Sequence, residues 1–148
     1  MPRLLIIDDE TGRADLARRL GREGYELHGL AAGADLASLR LEGFDAVLIE
    51  LFLPRSDAFQ TLELVRRRDP TLPVIGMTAR DPVYDNGCIG AFQALGAEAV
   101  LIKPIDHERL LTILRRALGR RAARGEYLRR VAQPSRQVGA TRLAPRTR

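Results

Sequence analysis

Residues 3–10 read Arg3-Leu4-Leu5-Ile6-Ile7-Asp8-Asp9-Glu10, a strand-length apolar run that meets three acids without a break. A short run without polar alternation suits a strand buried on both faces. Four more runs are strand-length: Tyr25 to Leu30, Ala46 to Ile49, Val74 to Met77 and Ala99 to Ile102. Between them the spacing becomes helical. Ala14, Ala17 and Leu20 mark one helix, and Leu36 and Leu39 a short second. Phe59, Leu62 and Val65 mark a third, and Ile89, Phe92 and Leu95 a fourth. Leu110, Ile113, Leu114 and Ala117 mark a fifth. Gly21, Gly24 and Gly43 stand where helix ends are expected, and Pro73 follows the third helix.

Five β–α repeats predict an α/β fold, a doubly wound, five-stranded parallel sheet with helices on both faces. In such sheets, ligands gather beyond the carboxyl ends of the strands, near the point where strand order reverses. Chemistry is therefore expected just after each strand.

Composition narrows the class. The 148 residues are 45% hydrophobic and 29% charged, which suits one globular domain. Aromatics are 5% and Trp is absent, so the core is aliphatic. The net charge of +5 and a pI near 10.3 invite a nucleic-acid reading, but the charge is unevenly spread. Residues 1–118 hold 15 Lys and Arg against 18 acids, whereas residues 119–148 hold nine Arg and one acid, Glu126. The body is mildly acidic and the tail is basic. One cysteine, Cys88, excludes an intrachain disulfide or a multi-thiolate zinc site. The first apolar run is too short for a signal peptide, and no stretch approaches the roughly 18 apolar residues of a membrane span. The expectation is a cytoplasmic protein without membrane insertion. It has a domain over residues 1–120 and an Arg-rich tail over 121–148, which extends the last helix and becomes coil from about Gln133.

The strand ends carry a constellation. Strand 1 ends in Asp8-Asp9-Glu10, strand 3 at Glu50, strand 4 at Thr78 and strand 5 at Lys103-Pro104. Clustered carboxylates raise one another's pKa unless a cation sits among them. Mg²⁺ suits an all-oxygen cleft, while Thr78 and Lys103 suit a phosphoryl group or a carboxylate.

These residues together resemble the receiver domain of two-component response regulators. The likeness runs from residue 3 to about 118. It rests on Leu5-Ile6-Ile7-Asp8-Asp9-Glu10 and on Ala46 to Pro54 with Asp57-Ala58-Phe59. It continues through Pro73-Val74-Ile75-Gly76-Met77-Thr78-Ala79 and Gly96 to Pro104. The resemblance implies a flavodoxin-like sheet in the order 2-1-3-4-5. It implies Asp8 and Asp9 as the acidic pair that holds Mg²⁺, with Glu50 beside them and the Phe52 carbonyl completing the set. Thr78 becomes the hydroxyl that moves toward the phosphoryl group, and Lys103 the cation that binds it.

One position departs from the family. The phosphoacceptor is an aspartate at the end of strand 3, and here that position is Glu50. Glutamate's extra methylene displaces the attacking oxygen, and a misplacement of about 1 Å costs about 10²-fold in rate. Glu50 can instead pair with Lys103, with a gross attraction of about 4 kcal/mol at about 4 Å and an effective dielectric of about 20, less desolvation. Such a pair mimics a phosphorylated state in part or locks an inactive one. A second departure is Val100, in the place of the family's aromatic switch residue. The stretch from Arg80 to Leu95 is also long, and Tyr84 within it is a candidate replacement ring.

Plainer readings cover other residues. Cys88 reads as a loop or helix-start residue, His28 and His107 as structural or surface residues, and Arg66-Arg67-Arg68 as a solvated complement to a helix dipole.

The leading expectation is a stand-alone, atypical receiver-like signalling module, not an enzyme and not phosphorylated at Glu50. It presents the fourth helix, fifth strand and fifth helix to a histidine kinase or downstream effector, with a homodimer as a further arrangement. Alternatives are a conventional receiver with a non-standard acceptor, or an accessory that docks nucleic acid or protein through the tail. Nucleic acid ranks behind protein because Tyr127 is the tail's one aromatic and no helix-turn-helix pattern is present. A haloacid-dehalogenase-like phosphatase places two aspartates two residues apart, a spacing that adjacent Asp8-Asp9 breaks.

Overall fold

The computed structural model describes residues 1–31 and 33–133. Five strands, β1 (Arg3–Ile7), β2 (Glu26–Leu30), β3 (Ala46–Glu50), β4 (Val74–Thr78) and β5 (Ala99–Ile102), form one parallel sheet in the order β2-β1-β3-β4-β5. The helices are α1 (Glu10–Gly21), α2 (Ala58–Arg68), α3 (Cys88–Ala94) and α4 (His107–Ala132). This is the expected doubly wound architecture.

Strand side chains alternate between two cores, as a period of two requires. Leu4, Ile6, Leu48, Ile75 and Met77 face α1 and α4, where Leu16, Leu20, Leu110 and Leu114 meet them. Leu5, Ile7, Val47, Ile49 and Val74 face the other way, against Leu62 and Val65 of α2 and Phe92 of α3. β3 and β4 are buried along their whole length, which explains their unbroken apolar runs. β2 is an edge strand and only partly covered, so it tolerates Glu26 and His28.

Two helical expectations need correction. The segment around Leu36 and Leu39 forms a single 3-10 turn, Leu36–Ser38, not a helix. Asp35 turns the chain by accepting from Ala37 N–H, and its carbonyl accepts the Ser38 hydroxyl, so local polar bonds replace a helical ladder. The arginines that close α2 do more than complement its dipole. Arg66 donates to the Leu72 and Gly96 carbonyls, and Arg68 to the Ala37 and Leu39 carbonyls. Carbonyl-rich loops on either side of α2 offer these side chains partners that a helical wheel does not reveal.

The expected boundary at 120/121 lies inside α4, which runs unbroken for 26 residues, about 39 Å at 1.5 Å per residue. Arg121 ties it to the body. Its Nη2 donates to Asp69 Oδ2 at 2.9 Å and its Nη1 to Thr71 Oγ1 at 3.0 Å. The coil expected beyond Gln133 lies outside the described residues. No described helix is long and apolar enough to cross a membrane.

Candidate functional site

β1 and β3 are neighbours, and the chain leaves β1 toward β2 on one side before returning to β3 on the other. Strand order therefore reverses between them, and Asp8 and Glu50 stand at their carboxyl ends. β4 and β5 continue the row with Thr78 and Lys103, and Lys103 N–H donates to the Thr78 carbonyl at 2.8 Å. The sheet thus brings four residues, spread over 96 positions from 8 to 103, to one edge.

Lys103 is the hub. Its ammonium donates to Asp8 Oδ2 at 2.8 Å and lies 2.9 Å from Glu50 Oε2. Asp8 is 0% exposed and Glu50 7%. Two buried carboxylates share one cation, a geometry that burial rewards only when the charges stay paired. Burial alone would pull the Lys103 pKa down, but its hydrogen bond to Asp8 and its close charge contacts with Glu50 and Asp8 hold it above the ordinary lysine value. The second oxygens are engaged as well. Asp8 Oδ1 accepts from Asp9 N–H at 2.7 Å, and Glu50 Oε1 has a long contact, 3.4 Å, from Phe52 N–H.

Asp9 has a different duty from its neighbour. It caps α1, its Oδ1 accepting from Gly12 N–H at 2.7 Å. Thr78 is fully buried, and its Oγ1 accepts from Arg80 N–H at 3.0 Å. Among the described residues, no hydrogen bond joins that hydroxyl to Glu50 or Lys103. Val100 lies buried in the core beside Phe92. Tyr84 does not fill the missing aromatic's place: it is 75% exposed. Asp81 caps the 3-10 turn Pro82–Tyr84 through Val83 N–H, and that turn carries the ring outward.

Two contributors were not singled out from sequence. Gly12 makes room for Asp8: a Cβ there would lie 2.1 Å from Asp8 Oδ2. Arg80 lays its guanidinium over the Phe52 ring, 3.8 Å from the centroid, where two loops of the site meet. A glycine one turn into a helix beside an acidic pair was the only signal for the first. Nothing local signals the second, because the partners lie on different strands' loops.

Part of the donor set expected for a divalent cation is already engaged. The ammonium bridges Asp8 and Glu50, Asp9 caps α1, and among the described residues no three His, Cys, Asp or Glu are placed to hold a metal. The residues that would hold Mg²⁺ are Asp8, Asp9 and Glu50 with the Phe52 carbonyl, and Lys103 is bound to the first and third of these acids. Lys103 and those two acids form a fixed ionic link between the ends of β1, β3 and β5.

Comparison with known proteins agrees with this architecture. Residues 4–115 match the response regulator receiver domain. The chain is similar to the DNA-binding dual master transcriptional regulator RpaA of Synechocystis sp., 34% identical over 124 residues, covering 81% of this chain and 50% of that protein. It is 36% identical over 124 residues to the transcriptional regulatory protein PcoR of Escherichia coli, covering 79% and 53%. The chain thus spans about half the length of these curated relatives. A CheY-like response regulator receiver domain protein from Methanospirillum hungatei has a similar structure, with a TM-score of 0.71 and 28% identity over 84% of this chain and 98% of that one.

Proposed function

Because the chain belongs to the response regulator receiver domain family, we propose that it is a signalling module whose acidic site is closed by Lys103 and which acts through protein contacts, without a phosphorylation cycle at Glu50. The observation that carries this reading is the sharing of Lys103 between Asp8 and Glu50.

A phosphoacceptor must present a free carboxylate oxygen in line with the donor phosphorus at about 3–3.5 Å. Glu50 is longer than the family's aspartate, and its outer oxygen faces an ammonium that must leave before any donor approaches. Receiver domains typically bind Mg²⁺ at their phosphorylation site. Here the same ammonium stands between two of the carboxylates such an ion would use. Lys103 therefore supplies in the resting protein part of the positive charge that a metal supplies elsewhere, and the ends of β1, β3 and β5 are held in one arrangement. The partner is a histidine kinase or a downstream effector, met on the face formed by α3, β5 and the first turns of α4. Ile102 of β5 is an exposed large apolar residue on that face.

The test is labelling with a small phosphodonor and Mg²⁺. The expected result is no base-labile phosphate on the purified protein. Stoichiometric label on Glu50 would overturn the reading. Glu50→Asp withdraws the carboxylate from Lys103 and restores the acceptor's length, so labelling is expected to return.

A further inference from the structure

At the opposite end of the sheet from Glu50, where β4 and β5 begin, four arginines line one cavity of about 330 Å³. Arg66 comes from the end of α2, and Arg120, Arg121 and Arg124 from the second half of α4. Their charges are incompletely matched. Arg121 is paired with Asp69, and Arg120 with Glu98, which also lines the cavity. Arg66 is half-buried and held by two backbone carbonyls, Leu72 at 2.6 Å and Gly96 at 2.8 Å, which fix its position without neutralising it. Arg124 has no acidic partner among the described residues. Four guanidinium groups thus face two carboxylates, an excess of two positive charges in one recess.

Guanidinium forks match the oxygens of phosphate, and arginines already anchored lose little entropy when an anion arrives. The volume is at the lower end for small-ligand sites, about 300–1,000 Å³. The rest of the wall includes Pro70, Thr71, Pro73 and Ala117 but no aromatic ring, so nothing there stacks on a base. Recognition would fall on the phosphates alone. We propose that this cavity binds a small phosphate-bearing polyanion of the pyrophosphate class, and that the anion fastens the second half of α4 to the loops before β4 and β5. The proposal is independent of whether Glu50 accepts a phosphoryl group.

Titration calorimetry of the full chain with pyrophosphate tests it. One-to-one binding is expected, with slower amide exchange over residues 117–124 of α4. Arg120→Gln/Arg124→Gln, at two exposed positions, is expected to weaken binding by about tenfold or more. Arg115→Gln/Arg116→Gln makes the same charge change elsewhere on α4 and is expected to bind like the unmodified protein. Absence of pyrophosphate binding, equal weakening by both double variants, or unchanged exchange in α4 would each overturn the proposal. So would tight retention of duplex DNA that pyrophosphate fails to displace, because the arginines would then serve an extended polymer.

Discussion

Lys103 Nζ lies 2.8 Å from Asp8 Oδ2 and 2.9 Å from Glu50 Oε2, so one ammonium pairs with carboxylates at the ends of two different strands. Removing it leaves both acids buried without a cation. Lys103→Met is expected to destabilise the fold by about 3 kcal/mol. The urea midpoint measures this. Combining Lys103→Met with Glu50→Gln should recover part of the loss, because one uncompensated charge goes with it.

The same link sets an alkaline limit. The Lys103 pKa is raised on folding, despite burial that opposes the charge. Its contribution to stability is therefore complete below the unfolded lysine value, about 10.4, and is lost as pH climbs through the higher folded value. Stability from this source should be flat across neutral pH and decline only beyond the ordinary lysine range. Lys103→Met should flatten that part of the alkaline limb in denaturation curves measured against pH.

Gly12 and Gly119 both lie in helices, yet the same substitution should act in opposite directions. A Cβ at Gly12 meets the Asp8 carboxylate at 2.1 Å, while one at Gly119 meets nothing within 4 Å. Gly119→Ala is expected to stabilise α4 by about 0.5–1 kcal/mol through helix propensity. In Gly12→Ala, overpacking of about 1–3 kcal/mol opposes that gain and pushes Asp8 from Lys103. Thermal melts of the two variants, run side by side, give the signs.

Arg121 and Asp69 anchor the long helix to the body through paired contacts of 3.2 and 2.9 Å. The Arg121 hydrogen bond, acting against burial, keeps the Asp69 pKa below the ordinary aspartate value. That stability is present above the unfolded aspartate value, about 3.9, and is lost as pH falls through the lower folded one. Arg121→Gln is expected to cost about 1.5–3 kcal/mol. It should also speed amide exchange over residues 121–132, and Asp69→Asn should flatten the acid limb.

The apolar runs and their helical spacers determined the sheet and helices α1 to α4, because a strand buried on both faces has no polar alternation to hide it. Asp8, Glu50, Thr78 and Lys103 were legible as a group for the same reason: each ends a run, and parallel strands bring their carboxyl ends to one edge. The short 3-10 turn at Leu36–Ser38 was not legible, since two leucines three apart satisfy a helix and a single turn equally. Nor did sequence assign the ammonium. Lys103 could have faced Glu50 alone, and it is the space over Gly12 that admits the Asp8 carboxylate to the same cation. Arg66, Arg120, Arg121 and Arg124 read as a helix-end cluster and a basic tail, yet they line one cavity because the end of α2 and the middle of α4, from opposite faces of the sheet, meet where β4 and β5 begin. Periodicity is local and can be read along the chain. Which charges finally meet depends on distances between elements, and those exist only once the two cores have packed.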